Sequence, residues 1–171
     1  MKTLWIMVGL PGSGKSWFAK NKLMQGSNWA YVSRDEIRFS MLNEDEDYFA
    51  HEDKVYKSFV EKLSENLNNV AVTDVIADAT HLNWASRVKL LNGLARNIDT
   101  SQVNVVPVVV TASFETCVRR NNERSGRAVV PKGVIRRMSY QLTDPKKDEY
   151  EYKSIWYVKN EEELKIEYEY T

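Results

Sequence analysis

Residues 4–20, LWIMVGLPGSGKSWFAK, restrict the fold more than any other stretch of this chain. The apolar run over residues 3–8 is short and rich in β-branched and aromatic side chains, which predicts a buried strand. Gly9, Gly12 and Gly14 follow, and a helical segment is expected from Lys15 to about Leu23. Strand, glycine turn and helix in direct succession let the backbone wrap closely, with N–H groups pointing inward. Gly9 to Ser16 satisfies G-x-x-x-x-G-K-[ST] at every defined position. Average residue usage produces such a match in roughly one chain in a hundred of this length. A plain glycine-rich turn does not require the Lys-Ser pair. The expected ligand is therefore the phosphate chain of ATP or GTP. Gly9, Pro11, Gly12, Ser13, Gly14, Lys15 and Ser16 should lie against it, with the positive end of the following helix aimed at the phosphates. Lys15 can reach the β- and γ-phosphates, and the Ser16 hydroxyl can ligate Mg²⁺.

The rest of the chain alternates strand and helix. Strands are expected at 30–33, 72–78, 103–110 and 154–158, and helices at 35–42, 46–68, 83–97, 114–122 and 131–142. Pro107 leaves one ladder position of its strand without a donor. Strands separated by helices of this length predict an α/β fold: a doubly wound parallel sheet of the P-loop NTPase kind, with helices on both faces. The 171 residues suit one domain, 1–171, and 43% hydrophobic residues suffice for a sizeable core.

Charge and cysteine content exclude several classes. Lys plus Arg equals Asp plus Glu at 24 each, so net charge gives no overall pull toward nucleic acid or membrane. One cysteine, Cys117, rules out an internal disulfide framework and fits a reducing compartment. No leader segment and no apolar run near the ~20 residues of a membrane helix are evident, and a cytoplasmic protein is expected. The neutral balance hides a basic segment over residues 114–137 and an acidic end over residues 161–171.

A phosphoryl acceptor needs a group that orients its hydroxyl. VSRDEIR, residues 32–38, follows the second strand, and ligands in such sheets lie beyond the carboxyl ends of strands. Asp35 is thus expected to face the phosphate loop and accept a proton from the attacking hydroxyl. Arg38, three residues on, shares its helix face and suits a phosphate beside that hydroxyl, gripped through two parallel bonds. A capping Asp in a surface ion pair with Arg38 would give the same spacing. Asp78 ends the strand VTDVIAD, where a second carboxylate would hold Mg²⁺ or its waters. Thr80 and Asn83 suit helix caps. Arg87 points either into the cleft or out to solvent, and His81 is expected to be a loop residue. Arg124 and Arg127 flank Gly126 in a loop suited to closing over a triphosphate, within a lid at about 119–137.

GLPGSGKS, SRDEIR, DATHLN…R and RRNNERSGRAVVPKGVIRRM occur in an order that resembles the kinase domain of phage-type 5′-polynucleotide kinases. The wider group includes zeta toxins and small-metabolite kinases. The resemblance spans about residues 3–140. It implies donor phosphates and Mg²⁺ at Lys15 and Ser16, with Asp78 on the metal, and Asp35 as general base for a 5′-hydroxyl. It also implies Arg38 on the acceptor's nearest 3′ phosphate and Arg124 acting from the lid on the transferring phosphoryl group; Arg34 and Arg87 are further expected on the substrate side, and Arg127 beside Arg124 on the nucleotide. Lys15, Asp35 and Arg124 are then the catalytic set, and the partner is a nucleic-acid 5′ end. A small-molecule kinase using the same Asp35 and a nucleotide-binding module without transfer chemistry are the alternatives.

Overall fold

Each expected strand forms, and a sixth joins them. In the computed structural model residues 1–170 are described, Arg127 and Tyr170 through their backbone alone. The strands are β1 (Lys2–Val8), β2 (Trp29–Ser33), β3 (Asp74–Asp78), β4 (Val103–Thr111), β5 (Ser154–Asn160) and β6 (Leu164–Tyr170). They build one sheet in the order β2-β3-β1-β4-β5-β6. Pairing is parallel from β2 through β5, and β6 returns antiparallel along β5. Pro107 pairs with Ile6, and the ladder to β5 begins only at Val108, so β4 accommodates the missing donor where one flank is still unpaired.

The helices are α1 (Lys15–Phe18), running into a π-helical turn over Ala19–Leu23, then α2 (Arg34–Met41), α3 (Glu52–Asn68), α4 (Trp84–Ala95), α5 (Phe114–Asn122) and α6 (Lys132–Gln141). They cover both faces. Val55, Phe59, Leu63 and Leu67 of α3, with Leu90, Leu91 and Leu94 of α4, pack on the face carrying Leu4, Ile6 and Val8. Phe18, Ala19 and Leu23 pack on the other face against Met7, Ile76 and Val108. Alternation along β1 thus feeds two cores. A third, small cluster of Leu10, Leu82, Cys117 and Ile135 seats α5 and α6 beside the glycine loop.

Two segments differ from expectation. Residues 46–51 do not extend α3; they form turns, with bonds such as Ala50 N–H to the Asp47 carbonyl. Residues 164–170 are a strand, whose alternating Leu164, Ile166 and Tyr168 outweigh its charged positions. Among the described residues no helix is long and apolar enough to cross a membrane.

Candidate active site

The β1–α1 loop is shaped by its glycines. Gly12 has φ 81° and Gly14 φ 92°, conformations that cost an L side chain dearly. A Cβ on Gly12 would sit 2.2 Å from the Cys117 carbonyl oxygen, and one on Gly14 would sit 2.0 Å from Asn160 Nδ2. The loop is therefore pressed against the protein behind it. Asn160 Nδ2 donates to the Ser13 carbonyl at 3.2 Å, and Arg120 donates to that oxygen at 3.3 Å and to the Asn160 carbonyl at 2.9 Å. Arg120, left unassigned by the sequence, is a brace for this loop. Among the described residues the buried Ser13 Oγ finds no hydrogen-bond partner.

Lys15 is 8% exposed and its Nζ donates to the Leu10 carbonyl at 2.9 Å. Burial lowers its pKa from the ordinary lysine value; Asp78 and Asp35 pull it back up, while Arg124 lowers it further. The positions of all three charges thus register on Lys15. Ser16 Oγ donates to Asp78 Oδ2 at 2.6 Å, and the Tyr31 hydroxyl donates to the same oxygen. Burial first, then the Asp78 charge, raises the Tyr31 pKa, so Tyr31 stays a neutral donor. A hydroxyl and a carboxylate adjacent at the loop's end are the hard oxygen donors that Mg²⁺ takes alongside phosphates and waters. The donor set fits that ion. Among the described residues no cluster of three or more His, Cys, Asp or Glu offers a separate metal cage.

The acceptor side is built on α2. Ser33, not Asp35, caps this helix, its hydroxyl accepting from the Glu36 N–H at 3.2 Å. Asp35 is thereby free to project from the first turn. Arg38 is no surface cation: it is 5% exposed. Its Nε and NH2 take Glu52 Oε2 and Oε1 at 3.1 and 2.7 Å, and its NH1 bonds Asp35 and, at 2.8 Å, the Tyr48 hydroxyl. Tyr48 in turn donates to Asp35 Oδ1 at 2.7 Å. Arg34 NH2 reaches Glu52 at 2.5 Å. Burial raises the Glu52 pKa, but Arg38 and Arg34 outweigh it and hold the carboxyl below its usual value. The forked edge of Arg38 expected to grip a phosphate is therefore occupied by Glu52. Neither Glu52 nor Tyr48 stands out in the sequence: Tyr48 lies in turns where a helix is expected, and Glu52 is one acid among several in α3.

One cavity of about 420 Å³ joins these groups. Lys15, Ser16 and Asp78 line it together with Asp35, Arg38 and Arg124. Pro11 and Arg34 line it too. Gly9 and Gly14 belong to the loop below. Arg87 does not line it. Its side chain is fully buried behind the site, donating to Glu149 at 3.0 and 2.6 Å and to the His81 and Thr143 carbonyls at 2.9 and 3.0 Å. A buried guanidinium requires such a partner, and Glu149 supplies it. The Arg127 side chain lies outside the described residues. Asn83 caps α4 as expected, reciprocally with Ser86. Thr80 accepts the Gly9 N–H at 3.0 Å. His81 holds φ 42° and is 6% exposed, with Nδ1–H donated to the Met7 carbonyl at 2.7 Å.

Sheet order, glycine loop and nucleotide-sized cleft define a P-loop protein with the kinase-type fold. The chain belongs to the AAA domain family, whose model matches residues 4–145. A chain of the Pnkp1/Rnl/Hen1 RNA repair complex is similar over 82% of this chain and 44% of its own, at 26% identity and a TM-score of 0.65. A fungal RNA kinase aligns over 92% of this chain and 38% of its own, at 10% identity and TM-score 0.62. A sugar kinase from Janibacter sp. HTCC2649 aligns over 93% and 85%, at 14% identity and TM-score 0.58. The latter two show likeness of fold. This chain spans less than half the length of the first two.

Proposed function

We propose that this chain moves the terminal phosphoryl group of ATP or GTP to the 5′-hydroxyl of a polynucleotide or oligonucleotide. The observation that carries the reading is that Asp35 opens onto the same cavity as Lys15, Ser16 and Asp78. Likeness at 26% identity to a chain of an RNA repair complex supports the choice of acceptor.

Lys15 exchanges the Leu10 carbonyl for the β- and γ-phosphates, and their charge offsets the cost of its burial. Ser16 and Asp78 hold Mg²⁺, which supplies charge neutralisation on the phosphates. Asp35 accepts the proton of the attacking hydroxyl; Tyr48 and Arg38 fix its carboxylate from behind. Arg34 and Arg38 approach the acceptor's phosphate as Glu52 yields part of its hold. Arg124, with Arg127, acts from residues 119–137, which serve as the lid of a single domain over residues 1–171.

A second reading takes a small molecule such as a sugar as acceptor. The charge balance of Arg34 and Arg38 against Asp35 and Glu52 favours it, because an uncharged acceptor needs no free cation.

The test incubates the protein with γ-labelled ATP, Mg²⁺ and 5′-hydroxyl RNA or DNA, beside a panel of sugars and nucleosides. Label at the 5′ end, reduced by roughly 10²–10⁴ in Asp35→Asn, supports the first reading. Labelled small molecules beside inert oligonucleotides establish the second. ATP binding without turnover of any acceptor overturns both.

A further inference from the structure

The turn segment between α2 and α3 carries an aromatic pair, Tyr48 and Phe49; Tyr48 holds the Asp35 carboxylate, whereas Phe49 has had no role so far. Tyr48 is fixed by its bonds to Asp35 and Arg38, and the Arg38 guanidinium lies 4.3 Å from its ring centroid. Phe39 meets the same ring edge-on at 6.0 Å. Phe49 packs edge-to-face on Tyr48 at 4.7 Å yet remains 52% exposed. Single exposed apolar side chains are ordinary on an outer surface. Phe49 differs in place, because it lines the cavity that holds Asp35. Its centroid is 6.0 Å from the Arg38 guanidinium carbon, and Arg38 bonds Asp35 directly. A hydroxyl at Asp35 and a base against Phe49 would thus share one cavity, with Arg38 touching both sides.

A flat apolar ring in the same cavity as Asp35 suits a planar, weakly hydrated group. A nucleobase is such a group, and every base offers a π-face, so stacking needs no particular base edge. Val129, Val134 and Met138 line the same cavity and add apolar surface to that of Phe49.

We propose that Phe49, held upright by Tyr48, is the stacking platform for the base of the acceptor's terminal nucleotide. This rests on the polynucleotide reading above and adds the subsite by which a nucleotide is preferred over a bare sugar phosphate. Recognition there is by shape and stacking, so terminal A, C, G and U or T are all accepted.

The experiment pairs two 5′-hydroxyl oligonucleotides, identical except that the terminal nucleotide of one lacks its base. kcat/KM is measured for the parent, Phe49→Ala and Phe49→Trp. The expected parent preference for the base-bearing substrate is roughly 5- to 150-fold, the range of one stacked base. Phe49→Ala brings that ratio close to one, and Phe49→Trp restores it. A 2-aminopurine at the terminal position is quenched on binding the parent and not Phe49→Ala. A parent that labels both oligonucleotides equally refutes the stacking platform and leaves the kinase reading intact. A preference that survives Phe49→Ala, or equal losses on both substrates, also refutes it. A parent that labels neither oligonucleotide overturns the kinase reading and this subsite together.

Discussion

Lowering the pH from 7 to 5 should remove stability from this fold through His81. The ring is buried, its Nδ1–H is committed to the Met7 carbonyl, and burial pushes its pKa down from 6.5 to about 4. The Met7 carbonyl acts in the opposite sense, while Arg34, Arg87 and Lys15 add to the depression. Between those two values the unfolded chain binds a proton that the folded chain refuses, so stability falls as pH drops through this window. Integrating over pH 7 to 5 gives a loss of about 2 kcal/mol from this side chain. His81→Asn isolates it. Asn tolerates the positive φ and can still donate to Met7, but it does not titrate. Urea unfolding of both proteins at the two pH values gives the comparison. The stability advantage of the parent over His81→Asn should shrink by about 2 kcal/mol, or roughly 4–8 °C in melting temperature. Parallel pH profiles would refute the reasoning, since they would mean that His81 titrates alike in both states.

Four further outcomes follow from the geometry. Tyr48→Phe removes one donor from Asp35 and one acceptor from Arg38, and should lower kcat by roughly 10-fold, a loss of about 1.4 kcal/mol, with nucleotide affinity preserved in a binding titration. Gly12→Ala drives a Cβ into the Cys117 carbonyl and should abolish nucleotide binding. Gly14→Ala meets the Asn160 side-chain amide at a positive φ and should weaken nucleotide binding, as read by calorimetric titration. Glu149→Ala strands the fully buried Arg87 charge and should cost roughly 3–5 kcal/mol in denaturant unfolding, whereas Arg87→Met with Glu149→Leu should recover much of that.

The sequence was most legible where function is written locally. The phosphate loop, its strand and its helix lie within some twenty residues, so spacing alone specified their arrangement. Asp35 was readable because a strand end followed by a helix start has few places to go in a parallel sheet. Partners far apart in the chain were not readable. Arg87 and Glu149 are 62 residues apart, and nothing in α4 distinguishes an inward guanidinium from an exposed one. Glu52 looked like an ordinary acid within a long helix, although it takes the fork of Arg38. β6 was hidden by its glutamates, while the alternation that makes it a strand was present throughout.

Asn160 closes β5, beyond the stretch shared with the family, and its amide is fastened to the carbonyl of Ser13. The glycine motif thus has its footing in a part of the chain that the motif does not announce. A protein trimmed to the shared stretch would keep Lys15, Ser16, Asp35, Asp78 and Arg124 and still lose the peg that keeps the cradle in shape.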